Sequence, residues 1–252
     1  MSAPDIAIQI VNYKTKSFLR PLIKSIHKDL YSSGISYKIN IIDNASGDNL
    51  DDIKENAVDI YYSKDNHGFG AGHNSLARKT TAKYLLMLNP DMLIIEEHTI
   101  KRLIDTLENN NASVVGPRLV TPLDRKNLSL EKTHPSYKQQ PWDHGEIGKW
   151  RFNTTDKLKQ VAWVSGAAFL IERDLFIKLN GFDEKFFLYY EEIDLCFRIR
   201  KMQQKIIYNP TINMLHYGNA VASMRSVYGF KSFVYLNLKH PTYYLRKQKV
   251  KS

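Results

Sequence analysis

Cysteine is almost missing from these 252 residues, with Cys196 standing alone. One thiol cannot close an intrachain disulfide or share a zinc ion with a second thiol, so a reducing compartment, the cytosol, is the expected setting. Long apolar runs are missing as well. Nowhere do about 18 uninterrupted apolar residues occur, and the N-terminal MSAPDIAIQIVNY carries an acid ahead of its apolar run rather than a cationic leader. Neither export nor a spanning helix is expected. No P-loop Gly-Lys-Ser/Thr occurs, no Gly-x-Gly-x-x-Gly directly follows the first strand, and Val164-Ser165-Gly166-Ala167-Ala168 lacks the leading glycine of a hydrolase elbow. Internal repeats are also lacking.

Acids are missing from the end of the chain. Residues 195–252 hold 11 Lys and Arg and no Asp or Glu, while residues 1–194 hold 25 against 26, so the net charge of +10 lies wholly behind Asp194. There Tyr228, Phe230, Phe233, Tyr235, Tyr243 and Tyr244 interleave with Lys231, Lys239, Arg246, Lys247, Lys249 and Lys251. Rings and cations together suit an anionic membrane surface, and a solvated basic tail is the alternative. A nucleic-acid partner is not expected, because the first 194 residues carry no positive excess.

What is present is an alternation of periods. Ile6 to Val11 reads as a strand, after which Phe18, Leu19, Leu22, Ile23 and Ile26 recur at helical spacing. Ile39–Ile42, Ile60–Tyr62, Leu85–Leu88 and Ser113–Val115 read as further strands, the last two preceded by helical patterns. Such alternation predicts an α/β domain with a mostly parallel sheet, whose ligands sit at the carboxyl ends of the strands. Those ends carry Asn12-Tyr13, Asp43 and Asn89-Pro90-Asp91. Between them Asn66-His67-Gly68-Phe69-Gly70-Ala71-Gly72-His73-Asn74 places three glycines ahead of a helix, which suits either an anion held by backbone N–H groups or a plain turn.

Three acids in four residues, Glu191, Glu192 and Asp194, begin a further helical pattern. They complement a helix dipole, and Asp194 lies one turn before Arg198. Crowded carboxylates also hold their protons more tightly, which suits a general base. Residues 121–160 form a polar insertion in which Trp142 and Trp150 either stack on a sugar or anchor the loop.

The ordered segments IVNYK (10–14), IIDNASGDN (41–49), DNHGFGAGHN (65–74), LNPD (88–91), SGAAFLIERD (165–174) and GFDEKFFLYYEEIDLCFR (181–198) closely resemble family 2 glycosyltransferases, and among them the bacterial rhamnosyltransferase-type branch. The likeness runs from about Ala7 to Tyr217. It implies a GT-A fold, with a Rossmann-like nucleotide-binding half at about 1–120 joined to an acceptor-binding half at about 121–220. Residues 221–252 would be a basic aromatic extension. The implied reaction moves a sugar, with inversion, from a nucleotide diphosphate donor to a hydroxyl of a lipid-linked or polymeric glycan at the cytoplasmic face of the cell membrane. Rhamnose from dTDP-rhamnose is the expected donor group.

Matched position by position, the resemblance implies that Asp43 holds the nucleotide base and that Asn12 lies near the nucleoside. Asn66, Gly68 and Asn74 would line the ribose and diphosphate side of the cleft, and Gly166 and Ala167 the donor sugar. Asp91 takes the acidic place of the family's Asp-x-Asp metal motif, in which Asn89 stands for the first acid. Mg2+ or Mn2+ is the expected cofactor, since a departing diphosphate gains charge and a hard cation needs only one or two protein carboxylates. His216 would reach the metal or the diphosphate. Glu192 takes the place of the catalytic base, one methylene longer than the usual aspartate, with Glu191 second. Asp194 would be structural through Arg198 or touch the acceptor. A nucleotidyltransferase, releasing pyrophosphate instead, is the alternative enzyme class.

Overall fold

The expected alternation is present in a computed structural model that describes residues 3–122, 137–140, 144–145, 156–218 and 225–241. Strands β1 (Ile6–Asn12), β2 (Tyr37–Asp43), β3 (Val58–Tyr62) and β4 (Tyr84–Leu88) lie parallel in the order β3-β2-β1-β4. Every residue of β1 and β4 is buried. That is why they read as continuous apolar runs: Tyr84, Leu86 and Leu88 fill the core on one face of the sheet while Leu85 and Met87 fill the other.

Helix α1 (Lys16–Leu30) follows β1 and buries Leu19, Leu22, Ile23 and Ile26, the stripe that its spacing predicts. Helix α2 (Phe69–Ala77) leads into β4. After a short β5 (Met92–Ile94), α3 (Thr99–Asn109) leads into β6 (Val114–Pro122). The carboxylate of Asp29, buried in α1, caps α3 by accepting the N–H groups of Thr99 and Ile100 at 2.7 and 2.9 Å. Between β2 and β3 only a 3-10 turn, Asp51–Ile53, takes the place of a helix.

The second half completes the sheet in an order no local pattern announces. Short β7 (Tyr137–Gln139), β8 (His144–Gly145), β9 (Lys159–Gln160) and β10 (Trp163–Val164) precede β11 (Ala168–Glu172) and α4 (Arg173–Lys178). Then come α5 (Glu191–Lys201), β12 (Ile206–His216) and α6 (Arg225–Lys239). The full order is β3-β2-β1-β4-β11-β6-β12-β5. Strand β11 runs antiparallel to both β4 and β6, so its amino end shares an edge of the sheet with the carboxyl ends of β1, β2, β4 and β12. Residues from both halves of the chain therefore meet at one edge.

Helix α6 does not stand apart from the body. Lys239 and His240 both reach Asp194 of α5, at 2.8 and 2.7 Å, and Lys239 also reaches Asp183 at 2.5 Å. The hydroxyl of Tyr235 donates to Asp183, and that of Ser232 to the carbonyl of Leu188. Part of the basic excess is thus neutralised by the half-buried Asp183 and the buried Asp194. Three of the rings expected at a membrane surface turn inward, Tyr228 stacking on Phe187 and Phe233 and Tyr235 packing on Tyr190 and Phe186, while Phe230 stays exposed and Tyr243 and Tyr244 lie outside the described residues.

Candidate active site

A cleft open to solvent lies along the shared edge of the sheet. Its lining includes Asn66, Gly68, Asn89, Asp91, Tyr189 and His216. Strand β4 stops there because Asn89-Pro90-Asp91 turns the chain, Met92 donating its N–H to the Asn89 carbonyl at 3.2 Å, and the chain returns as β5. The segment is both a turn and the holder of a carboxylate.

Asp91 is 2% exposed, and its carboxylate accepts the N–H of Gly218 at 3.0 Å. Its other oxygen lies 3.4 Å from Nε2 of His216. Gln140 sets that imidazole. Its amide donates to the His216 carbonyl at 2.8 Å, which leaves its oxygen to accept from Nδ1 at 3.0 Å. A proton therefore sits on Nδ1, and in the neutral imidazole Nε2 turns a lone pair towards the Asp91 carboxylate and the Asn89 amide, 3.4 Å away. Two electron-pair donors turned towards one another fit a cation. Among the described residues no group of three or more His, Cys, Asp and Glu could hold a metal, so the remaining ligands would come from phosphate and water.

Helix α5 opens with Glu191 and Glu192 just after Tyr189, which lines the cleft; neither glutamate is itself among the lining residues. The two residues before the helix, Tyr189 and Tyr190, both adopt left-handed backbone with φ of 70° and 71°. Such strain in non-glycine residues persists only where neighbours impose it. Here Tyr228, Ser232 and Phe233 of α6 hold the loop from the outside. Glu192 lies against Gly166, where a Cβ would stand 3.4 Å from its own Cβ. Gly166 precedes Ala167, whose carbonyl accepts the N–H of Asn89 at 2.8 Å. Burial raises the Glu192 carboxyl to about 7 and, with the charge of Glu192 beside it, pushes Glu191 well above the usual carboxylate range. One oxygen of each lies buried without a hydrogen-bond partner.

Asn12, Asp43, Asn74 and Asp194 are not among the residues that line the cleft. Asn12 and Asp43, last residues of β1 and β2, are closed up together: Asn12 donates to Asp43 at 2.7 Å, and Ser46 donates to the same carboxylate through its N–H and its hydroxyl. Asn44, which the sequence reading passed over, lines the cleft beside them and donates to the Gly68 carbonyl at 2.9 Å. Asn74 faces away from the cleft lining, its amide joined to both the N–H and the carbonyl of Phe182. Asp194 is fully buried on Arg198, Lys239 and His240, the structural alternative. Trp142 and Trp150 lie outside the described residues.

The three glycines prove to have separate tasks. Only Gly68 lines the cleft, at φ +89°, where a side chain would run into the Phe187 carbonyl. Gly70 and Gly72 let α2 approach Phe182 and Val11, each within 3 Å of where a Cβ would stand. The N–H groups of Gly68 and Phe69 are taken by Asn66 and by the Phe187 carbonyl. The expected anion cradle is therefore absent at these two amides. Gln140 and the Phe187–Tyr189 loop also went unnoticed in sequence, since a glutamine in a polar insertion carries no local signal.

A mostly parallel sheet with β11 reversed at its centre, and Asp91 and His216 at the carboxyl ends of its parallel strands, has the GT-A glycosyltransferase fold. The chain belongs to glycosyl transferase family 2, whose sequence profile matches residues 7–179. It is 28% identical over 229 residues to the low-salt glycan biosynthesis hexosyltransferase Agl10 of Haloferax volcanii, covering 84% of this chain and 67% of that one. It is 25% identical to the rhamnosyltransferase WbbL of Escherichia coli K12, covering 85% and 84%. Among solved structures, mannosyltransferase PcManGT from Pyrobaculum calidifontis, in complex with GDP-Man and Mn2+, superposes with a TM-score of 0.64 at 13% identity. That match covers 94% of this chain but 65% of the other.

Proposed function

We propose that this protein transfers a hexose, rhamnose from dTDP-rhamnose, onto a hydroxyl of a lipid-linked or polymeric glycan, with inversion at the anomeric carbon. The observation that carries the reading is the pairing of Asp91 with His216 in the cleft, with a carboxylate of raised proton affinity, Glu192, three residues beyond Tyr189 of the lining. Likeness to a rhamnosyltransferase and a hexosyltransferase supports the sugar class. Work at an anionic membrane face is part of the same reading, motivated by the acid-free basic stretch after Asp194.

Asp91 and His216 would hold a divalent cation, Mg2+ or Mn2+, with phosphate oxygens completing its shell; two similar folds were solved with Mn2+. When bound, the cation neutralises charge gained by the departing diphosphate. Asn66, Asn44 and Gly68 line the side of the cleft assigned to the nucleotide, while Gly166 and Ala167 border the sugar. Glu192 takes the proton of the acceptor hydroxyl as its oxygen attacks the anomeric carbon and the bond to the diphosphate breaks. Glu191 is the second candidate for that proton.

Purified protein incubated with nucleotide sugars, an acceptor and Mg2+ or Mn2+ should release nucleoside diphosphate, and Asp91→Ala or Glu192→Gln should lower that release by about 10²- to 10⁴-fold. Release of pyrophosphate from a nucleoside triphosphate would instead indicate a nucleotidyltransferase. Full turnover in both variants would remove the assigned roles.

A further inference from the structure

Helix α6 leaves one face uncovered. Val227, Phe230, Val234 and Leu238 recur at three- and four-residue spacing and are 59%, 70%, 41% and 75% exposed. Their helix-mates Tyr228, Ser232, Phe233, Tyr235 and Lys239 are all engaged with the body. The face is thus not the loose side of a mobile tail but a ridge held from beneath by ion pairs to Asp183 and Asp194.

We infer that this ridge seats in the interface of an anionic lipid bilayer and thereby sets the mouth of the cleft at the membrane surface. Three observations favour lipid. Lys231 lies exposed beside Phe230, and the eleven residues after Pro241 carry Arg246, Lys247, Lys249 and Lys251 with no acid, a charge that complements anionic headgroups. Four side chains on one helix supply a few hundred Å2 of apolar surface, short of the roughly 800 Å2 per partner of a stable protein interface. An interfacial helix needs no more than such a stripe. Finally, the inner face of α6 touches Phe187, Leu188 and Tyr190, of which the first two line the cleft, so whatever holds the outer face also fixes the rim of the site.

The inference deepens the proposed membrane setting and can be separated from the proposed chemistry, since lipid binding is read without turnover. Full-length protein should float with vesicles of equal parts phosphatidylcholine and phosphatidylglycerol, and less with phosphatidylcholine alone. Phe230→Ser/Leu238→Ser should lower the bound fraction about tenfold. Val227→Ser/Val234→Ser should act in the same direction. All four positions are exposed, so circular dichroism and nucleoside diphosphate release in detergent should match the parent protein. Unchanged flotation in both double variants would overturn the inference, as would a protein that never binds vesicles. A dimer seen by light scattering that Phe230→Ser/Leu238→Ser splits, without vesicle binding, would assign the face to a second copy.

Discussion

Glu192 carries two opposed demands on one side chain. Burial beside Gly166 lifts its carboxyl from the ordinary 4.5 to about 7, which suits a base that must hold a proton between turnovers. The same burial disfavours the charged form that catalysis needs. Because the folded value lies above the unfolded one, the penalty is absent below about 4.5, grows as pH rises, and is complete above about 7. Glu192→Gln should therefore raise the melting temperature at pH 8 relative to pH 4.5, by up to about 3 kcal/mol of stability, while lowering turnover. In the parent enzyme kcat/KM should fall as pH drops through about 7. Loss of that limb in Glu192→Gln but not Glu191→Gln would separate the two carboxylates; the reverse would make Glu191 the base.

At the scale of elements, α5 and α6 are locked by one aspartate. Asp194 is buried, which alone would raise its carboxyl, yet hydrogen bonds from Lys239 and His240 and the charge of Arg198 hold it below the usual range. Its contribution is fully present above the ordinary carboxylate range and is lost as pH falls through the lowered value. Removing it leaves Lys239 and His240 without their shared partner, and breaking a buried pair costs about 3–5 kcal/mol. Asp194→Ala should lower stability by that order and free the amides of 225–241 for hydrogen exchange. Unchanged protection of α6 would show that Tyr228, Ser232 and Phe233 suffice to hold it. A second expected effect is a higher KM for acceptor, because α6 supports the strained Tyr189-Tyr190 loop.

For the whole molecule, the metal reading has a quantitative consequence. Asp91 and His216 alone make a poor cage, so Mn2+ by itself should shift the melting temperature little, nucleoside diphosphate by itself modestly, and the two together by more than their sum. Gln140→Ala should weaken that cooperative shift about 10- to 100-fold in Mn2+ affinity, since the amide fixes the imidazole tautomer. Additive shifts, or an equal response in Asp91→Ala, would show that the cation does not bind between these groups.

The sequence by itself determined the parallel strands β1 to β4, because fully buried strands must be continuous apolar runs and α1 must show one apolar stripe. It also determined the strand-end polar residues, and Asp91 and His216, recognisable from motif order, do meet at the cleft. Local pattern could not disclose β11 reversed between β4 and β6, since strand pairing is a long-range choice with no signature in a five-residue strand. Nor could it assign the glycines, as close packing of Gly70 and Gly72 and positive φ at Gly68 look alike in sequence. Asn74, expected at the ligand, and Tyr228, Phe233 and Tyr235, expected at a membrane surface, all turn inward, because composition names a side chain but not its direction. Only tertiary structure decided which faces turn inward, because burial and ion pairing depend on neighbours far along the chain, such as Phe182, 108 residues from Asn74, and Gln140, 76 residues from the imidazole at the end of β12.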